Sequence, residues 1–377
     1  MAGAALALLP ISASAHAQLV SSNPAPGAIL DGGPATVDLL FSETVTAAGR
    51  GISVYGPDGR LASSGSARAD GRRLSVQLTA DSDGTYAVIW TVVAGDTHPS
   101  RGELTFSVGH PTPVKAPGLG GPDVGLVSPL GLVLQALARW LHFFGFALGF
   151  GAATYALFFA RDARPLRLAV PGVALLLVAE PLALLGQTSS FDVAQTFDGD
   201  ALIGALASPF GRVLGLRVAA SLTLWALLGA LRQAAWLRWA IPSLGVALAF
   251  VDSTAAHATP ALPLPMGMAL TAAHESAMGL WVGGLVGYLT DPAAGFGRAA
   301  SWSAVVLVVS GAALALLHLR QPQELVTTVY GGTLLFKLPL VAVAIGLAWR
   351  ARRRGELVAL TAVLAAAALL VSLPPPR

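Results

Sequence analysis

The chain has 377 residues, of which 54% are hydrophobic and only 11% charged, with a formal net charge of +3 and no cysteine. Soluble globular proteins carry about 25% charged residues, so this deficit, with a mean hydropathy of +0.68, places much of the chain in lipid. The small positive charge, without a Lys/Arg cluster interleaved with aromatics, argues against a nucleic-acid partner. The lack of Cys excludes disulfides, thiolate metal sites and Cys nucleophiles. From Val127 onward Leu, Ala, Val and Gly dominate, whereas the earlier sequence has the Asp, Ser, Thr and Gly turns of a soluble domain, so two domains are expected.

Residues 1–15 are apolar and end in Ala13-Ser14-Ala15, the signature of a cleaved export signal. The positively charged stretch that opens such signals is missing, which points to a translation start further upstream. Cleavage after Ala15 makes His16 the first mature residue, whose free amine and ring Nδ1 can chelate one metal together.

From 16 to 110 short apolar runs alternate with turn residues. Val37-Asp38-Leu39-Leu40-Phe41, Leu74-Ser75-Val76-Gln77-Leu78 and Glu103-Leu104-Thr105-Phe106-Ser107-Val108 are examples, broken by turns such as Pro24-Ala25-Pro26-Gly27 and Gly56-Pro57-Asp58-Gly59. This predicts an antiparallel sandwich. Asp96 and His98 are two apart, so in an extended segment they point to one side and can share a metal; the bland alternative is a surface loop. With a terminal His16 they form an N/O set suited to tetragonal Cu(II).

His16-Ala17-Gln18-Leu19, the Ser22–Gly27 turn, Leu40-Phe41-Ser42-Glu43 and Gly95-Asp96-Thr97-His98-Pro99, with Gly102 and Phe106, resemble the periplasmic copper-binding protein family CopC. The resemblance spans the domain. It implies an immunoglobulin-like sandwich binding Cu(II) through His16, Asp96 and His98, with Glu43 as an acidic group beside them. A methionine-rich Cu(I) site, present in some members, is not expected, because no Met lies between 16 and 265.

Residues 111–125 read as a Pro/Gly-rich tether, and 126–377 as a polytopic helical domain. A span needs roughly 20 apolar residues, and eight segments qualify: 128–160, 165–187, 209–231, 235–252, 264–290, 299–319, 332–350 and 355–373. With the first domain exported, the Arg-containing loops 161–167, 232–238, 291–298 and 350–354 fall inside, as the positive-inside rule requires. Both ends of the membrane domain then lie outside.

Ionisable groups inside spans are costly and mark function. Glu180 and His142 fall near mid-span, and His274 lies about 15 Å deep at 1.5 Å per residue. Asp252, His257 and His318 are nearer the outer face. Met266, Met268 and Met278 share the His274 helix; Met266, His274 and Met278 are spaced by multiples of four, which predicts one slowly drifting stripe facing the bundle interior, and thioether plus imidazole suits Cu(I). The alternatives are packing or lipid-facing roles for the methionines and interhelical hydrogen bonding for the histidines. Arg217 and Lys337 read as side chains snorkelling from span ends.

Arg139-Trp140-Leu141-His142, Ser208–Leu214, His257-Ala258, His274-Glu275-Ser276-Ala277-Met278-Gly279-Leu280-Trp281-Val282-Gly283-Gly284-Leu285 and Tyr330–Lys337 resemble the CopD copper-resistance membrane domain. A CopC–CopD fusion implies a non-enzymatic copper import protein of the cytoplasmic membrane, its first domain in the periplasm or extracellular space. In that reading Cu(II) is captured outside and passed to a path of His142, Glu180, His257, Met266, Met268, His274, Met278 and His318, as Cu(I) or Cu(II). A reductase or copper chaperone is an expected partner if the path takes Cu(I). No GxxxxGK[ST] motif is present, so no ATP drive is expected from this chain. The competing readings are a haem or copper redox protein of the membrane, and a copper sensor or metallochaperone that transports nothing.

Overall fold

The computed structural model describes residues 17, 19–93, 99–114, 128–190, 193, 196–231, 236–254, 263–319 and 321–373. The expected signal 1–15, His16, Asp96, His98 and His257 lie outside the described residues.

The first domain is a two-sheet sandwich. Its strands are β1 (Leu19–Asn23), β2 (Ile29–Leu30), β3 (Thr36–Phe41), β4 (Thr46–Tyr55), β5 (Ser63–Asp70), β6 (Arg73–Leu78), β7 (Gly84–Val93) and β8 (Pro99–Val108). One sheet has the order β1-β3-β6-β5 and the other β2-β8-β7-β4. Pairing is antiparallel except between β2 and β8. The period of two decides which residues enter the core. Val37, Leu39 and Phe41 of β3 and Leu74 and Val76 of β6 are buried. They face Ile52, Val54, Val88, Trp90, Leu104 and Phe106 from the other sheet. Tyr86 stacks on Phe106, ring centroids 5.3 Å apart. Gly102 pairs with Trp90 across β7 and β8, and a Cβ there would stand 2.1 Å from the indole, so only glycine lets that ring lie flat.

The register brings three described stretches to one end of the sandwich. Leu19 at the start of β1 pairs with Phe41 at the end of β3. Thr46 at the start of β4 pairs with Val93 at the end of β7, and Val93 pairs with Pro99 at the start of β8. Ala17, Glu43 and the Val93–Pro99 pair therefore belong to the same end.

The rest is helical: α1 (Pro129–Phe146), a π-helical turn (Ala147–Ala152), α2 (Ala153–Phe158), α3 (Ala169–Thr188, opened by a 3-10 turn Pro165–Leu168), α4 (Gly199–Ala207), α5 (Pro209–Ala230), α6 (Leu237–Thr254), α7 (Leu264–Thr290), α8 (Phe296–His318), α9 (Glu324–Thr327), α10 (Val329–Trp349) and α11 (Arg353–Ser372). Proline at the first turn and a hydroxyl cap start α1, where Ser128 Oγ accepts from the Gly131 N–H at 3.0 Å. Among the described residues six helices are long and apolar enough to cross a membrane: Pro129–Phe158, Pro165–Thr188, Pro209–Ala230, Phe296–His318, Val329–Trp349 and Arg353–Ser372. Each of the eight expected segments contains a helix, but α6 and α7 do not meet the same measure, so a count of eight is not established. Both carry ionisable groups, Arg238 and Asp252 on α6 and His274 and Glu275 on α7, which lower their apolarity.

The helices pack around Phe146, Phe150, Leu176, Leu224, Ile241, Leu248, Trp281, Leu285, Leu360 and Leu364. Large apolar side chains such as Trp225, Trp302, Phe336 and Trp349 point outward, as a lipid-facing surface requires. The π-helical turn lies against α7 through glycines: a Cβ on Gly283 would stand 1.8 Å from the Ala147 carbonyl oxygen, and one on Gly151 1.9 Å from that of Gly279. Beside this contact Trp281 Nε1 donates to Glu356 Oε1 at 2.8 Å, and Arg353 Nη1 donates to Glu356 Oε2 at 2.8 Å. The Trp-Val-Gly-Gly segment of α7 is thus a packing device that seats α7 against the π-helical turn and α11.

Candidate functional site

Inside the helical domain lies a cavity of about 230 Å³. Helical spacing explains who reaches it. Gln135, Arg139 and His142 are four and three residues apart on α1 and line its wall together. Glu180 comes from α3, Arg217 from α5, Asp252 from α6, His274, Glu275 and Met278 from α7, His318 from α8, and Tyr330 and Lys337 from α10.

His142 is the centre of a buried ionic network. Its Nδ1 is 3.2 Å from Glu180 Oε1, its Nε2 3.0 Å from Asp252 Oδ2 and 3.9 Å from Glu275 Oε1. Arg217 Nε donates to Asp252 Oδ1 at 2.5 Å, and its Nη1 is 3.8 Å from Glu180 Oε2. One donor atom from each of His142, Asp252 and Glu275 lies within 4.8 Å of the other two. Arg139 Nη1 donates to the Val371 carbonyl at 3.0 Å. Among the described residues lining the cavity, the carboxylates Glu180, Asp252 and Glu275 stand with the cationic Arg139, Arg217 and Lys337, and of these cations Arg217 contacts the carboxylates.

His274 sits higher on α7, its Nδ1 2.8 Å from Ser310 Oγ. Ser310 already donates its hydroxyl proton to the Val306 carbonyl at 2.5 Å, so Nδ1 is the donor and the Nε2 lone pair of His274 is left for other partners. The His318 Nδ1 donates to the Leu314 carbonyl at 2.7 Å.

The structure therefore brings together His142, Glu180, His274, Met278 and His318 from the expected path. It does not bring Met266 or Met268 to the cavity wall, and Met266 is 57% exposed. Four residues on a helix advance about 400°, so a four-residue repeat drifts about 40° per step. Three steps carry Met266 about 120° away from Met278, and the expected interior stripe fails for that reason. Arg217 is not a snorkelling side chain either: its guanidinium turns inward to Asp252. Lys337 likewise lines the cavity. Asp252, Glu275 and Arg217 were not singled out as path residues by sequence. Their signal is the same cost of ionisable groups in apolar runs, but their partners are on other helices. Glu43 is half-buried just beyond β3.

Comparison with known proteins agrees with both halves. The CopC domain family matches residues 19–109, and the family described as copper resistance protein D matches residues 293–368. A copper resistance protein C of Xanthomonas campestris pv. juglandis is 36% identical over 115 residues, which are 28% of this chain and 88% of that protein. The chain belongs to the CopC family. It joins a CopC domain and a CopD domain in one polypeptide. Protein YobA of Escherichia coli (strain K12) is 38% identical over 106 residues, 27% of this chain and 85% of that one. The crystal structure of CopC from Methylosinus trichosporium OB3b shares 24% identity, covering 26% of this chain and 98% of its own, with a TM-score of 0.23. That of PcoC, a methionine-rich copper resistance protein from Escherichia coli, shares 28% identity over 25% of this chain and 98% of its own, with a TM-score of 0.21. The CopD match covers α8 to α11 and leaves out the helices that carry His142, Glu180, Arg217 and Asp252. The two domains indicate a membrane protein with a copper-binding and transport-related role in copper resistance.

Proposed function

We propose that this protein captures Cu(II) outside the cytoplasmic membrane with its CopC domain and imports copper through the helical domain. The domains in this reading are 16–110 for capture, 111–125 as tether and 126–377 for transport, after removal of 1–15. The Cu(II) ligands are the amine and ring of His16, Asp96 and His98, with Glu43 beside them; the described neighbours of all four belong to one end of the sandwich. The route uses His142, Glu180, His274, Met278 and His318. Met266 and Met268 lie off the cavity wall and are not needed for it.

The observation that carries this reading is the cavity itself. Imidazoles, carboxylates and a thioether converge there in the middle of helices that are otherwise apolar, and such groups are retained in a membrane interior only at a cost of several kcal/mol each. A haem role is less well supported, because both ring nitrogens of His142 face carboxylates. The test is copper flux into proteoliposomes, with Cu(I) and Cu(II) supplied separately. His274→Ala should abolish uptake while Cu(II) binding by the CopC domain persists. Wild-type flux in a normally inserted H274A protein would refute the route. Eight spans, with α6 and α7 among them, would place a reporter after Arg377 outside and one between Arg350 and Gly355 inside.

A further inference from the structure

We infer that His142, Asp252 and Glu275 form a binding site for a divalent transition-metal ion, Cu(II) in this setting, inside the helical domain. This rests on the transport reading above and gives that route a definite chemistry: a nitrogen and two carboxylate oxygens rather than a thioether relay.

The argument starts from the imidazole. Glu180 Oε1 is 3.2 Å from Nδ1 of His142. A carboxylate accepting from one ring nitrogen is the arrangement that orients metal-binding histidines, since it fixes the tautomer and turns the other lone pair toward the ion. With Nδ1–H directed at Glu180, Nε2 either carries a second proton or offers its lone pair to a metal ion. It lies 3.0 Å from Asp252 Oδ2, which without a metal accepts the Nε2 proton. A divalent ion held by Nε2 and Oδ2 together would take the place of that proton.

Glu275 supplies the independent observation. It is 7% exposed, and its Oε1 is buried without a hydrogen-bond partner among the described residues. That oxygen points at the same nitrogen, 3.9 Å away. A buried carboxylate oxygen with no donor is costly. Glu356 shows what a satisfied carboxylate looks like in this domain, with one donor on each oxygen. Glu275 instead has an oxygen spare beside a histidine and a second carboxylate.

The separations fit a metal shell. First-row divalent ions hold imidazole nitrogen and carboxylate oxygen at about 2.0–2.2 Å. Ligands at a right angle are then about 3 Å apart and opposed ones about 4 Å. Nε2 to Asp252 matches the first and Nε2 to Glu275 the second. A tetragonal shell, which Cu(II) prefers, accommodates these separations, and Cu(II) has the highest affinity among divalent first-row ions. Arg217 completes the site by holding Asp252 Oδ1, which leaves Oδ2 for the ion. The cavity has room for water in the remaining positions. Cu(I) would favour soft ligands, and the three donors here include none.

The experiment uses the full chain in nanodiscs with His98→Ala, combined throughout with His16→Ala so that both imidazoles of the exported site are gone. Cu(II) titration with electron paramagnetic resonance should show one Cu(II) per chain, in a tetragonal signal with coupling to one imidazole nitrogen. Glu275→Gln in the H98A background should lose that signal. Glu180→Gln, which only positions the ring, should weaken binding by about 10–100-fold and keep the signal's form. If E275Q inserts poorly, the spectrum of the H98A chain decides by itself. No bound Cu(II) in that chain, a signal without imidazole coupling, or the same affinity in E275Q would overturn the site. Flux measured on the wild-type and E275Q chains with the exported site intact separates the two claims. Transport without a second Cu(II) site would refute the site and leave import standing. A Glu275-dependent Cu(II) signal in a protein that moves no copper would uphold the site and refute import.

Discussion

Arg217 is the permanent cation on which the buried carboxylates depend, and replacing it by Met tests that dependence directly. Its guanidinium contacts Asp252 at 2.5 Å and stands 3.8 Å from Glu180; the three side chains are 18%, 6% and 2% exposed. Solvent screening is therefore slight, and R217M leaves two buried carboxylates without their guanidinium. Removing one partner of a buried ion pair costs about 3–5 kcal/mol. In a folded unit of 150–250 residues each kcal/mol moves the melting temperature by about 2–4 °C, so a fall of about 6–20 °C is expected. Adding Asp252→Asn removes one orphaned charge while preserving shape, and R217M/D252N should melt above R217M by several degrees. The assay is thermal unfolding of purified full-length protein in one detergent, read for both single variants and the double variant as a cycle. An R217M protein as stable as wild type would refute the pairing. Strictly additive losses would show that Arg217 stabilises the fold by packing and not by charge.

Three other substitutions probe separate parts of the argument. Gly283→Ala should destabilise the helical domain by about 1–3 kcal/mol, the usual range for overpacking, because the added methyl meets the Ala147 carbonyl oxygen at 1.8 Å; unchanged melting would mean that α7 and the π-helical turn can separate freely. Met266→Leu with Met268→Leu should leave copper uptake intact, since neither lines the cavity, and loss of uptake would move the route to the outer end of α7. One extra residue before His16 should weaken Cu(II) binding by the CopC domain tenfold or more, about 1.4 kcal/mol, by taking the amine from the chelate; titration showing equal affinity would rule the terminal chelate out.

Much of the fold was legible because its signals are local. Period-two runs such as Val37 to Phe41 announce a strand that buries alternate residues, and the structure buries Val37, Leu39 and Phe41. The helices were legible from the length of their apolar runs. The centre of the network was half legible for the same reason: His142 and Glu180 stand out as ionisable groups in apolar sequence. What was not legible is pairing across helices. Asp252 lies 110 residues from His142 and 35 from Arg217, and no spacing rule spans such intervals. Arg217 lies eight residues from the start of α5, a depth that suits a side chain reaching for the interface equally well. Only the placement of α6 beside α1 and α5 decides which way it turns. The failure of the Met266 stripe is the converse case. A pattern that looks regular in sequence was undone by the difference between four residues and 3.6.

The charge pattern of the cavity explains why its parts are inseparable. Glu180 serves His142 on one side and Arg217 on the other; Arg217 serves Glu180 and Asp252; Asp252 serves Arg217 and His142. Each member is buried because another neutralises it, so α1, α3, α5 and α6 are bound into one unit through their polar side chains. Glu275 on α7 joins this set through a side-chain hydrogen bond with Asp252, while its Oε1 lacks a hydrogen-bond partner among the described residues. It stands on the helix whose glycines let it approach the π-helical turn most closely. A closed ring of paired charges would be a structural device and nothing more. One buried carboxylate oxygen outside the ring, facing a histidine already oriented from behind, gives the ring a reason to hold a cation at its open side.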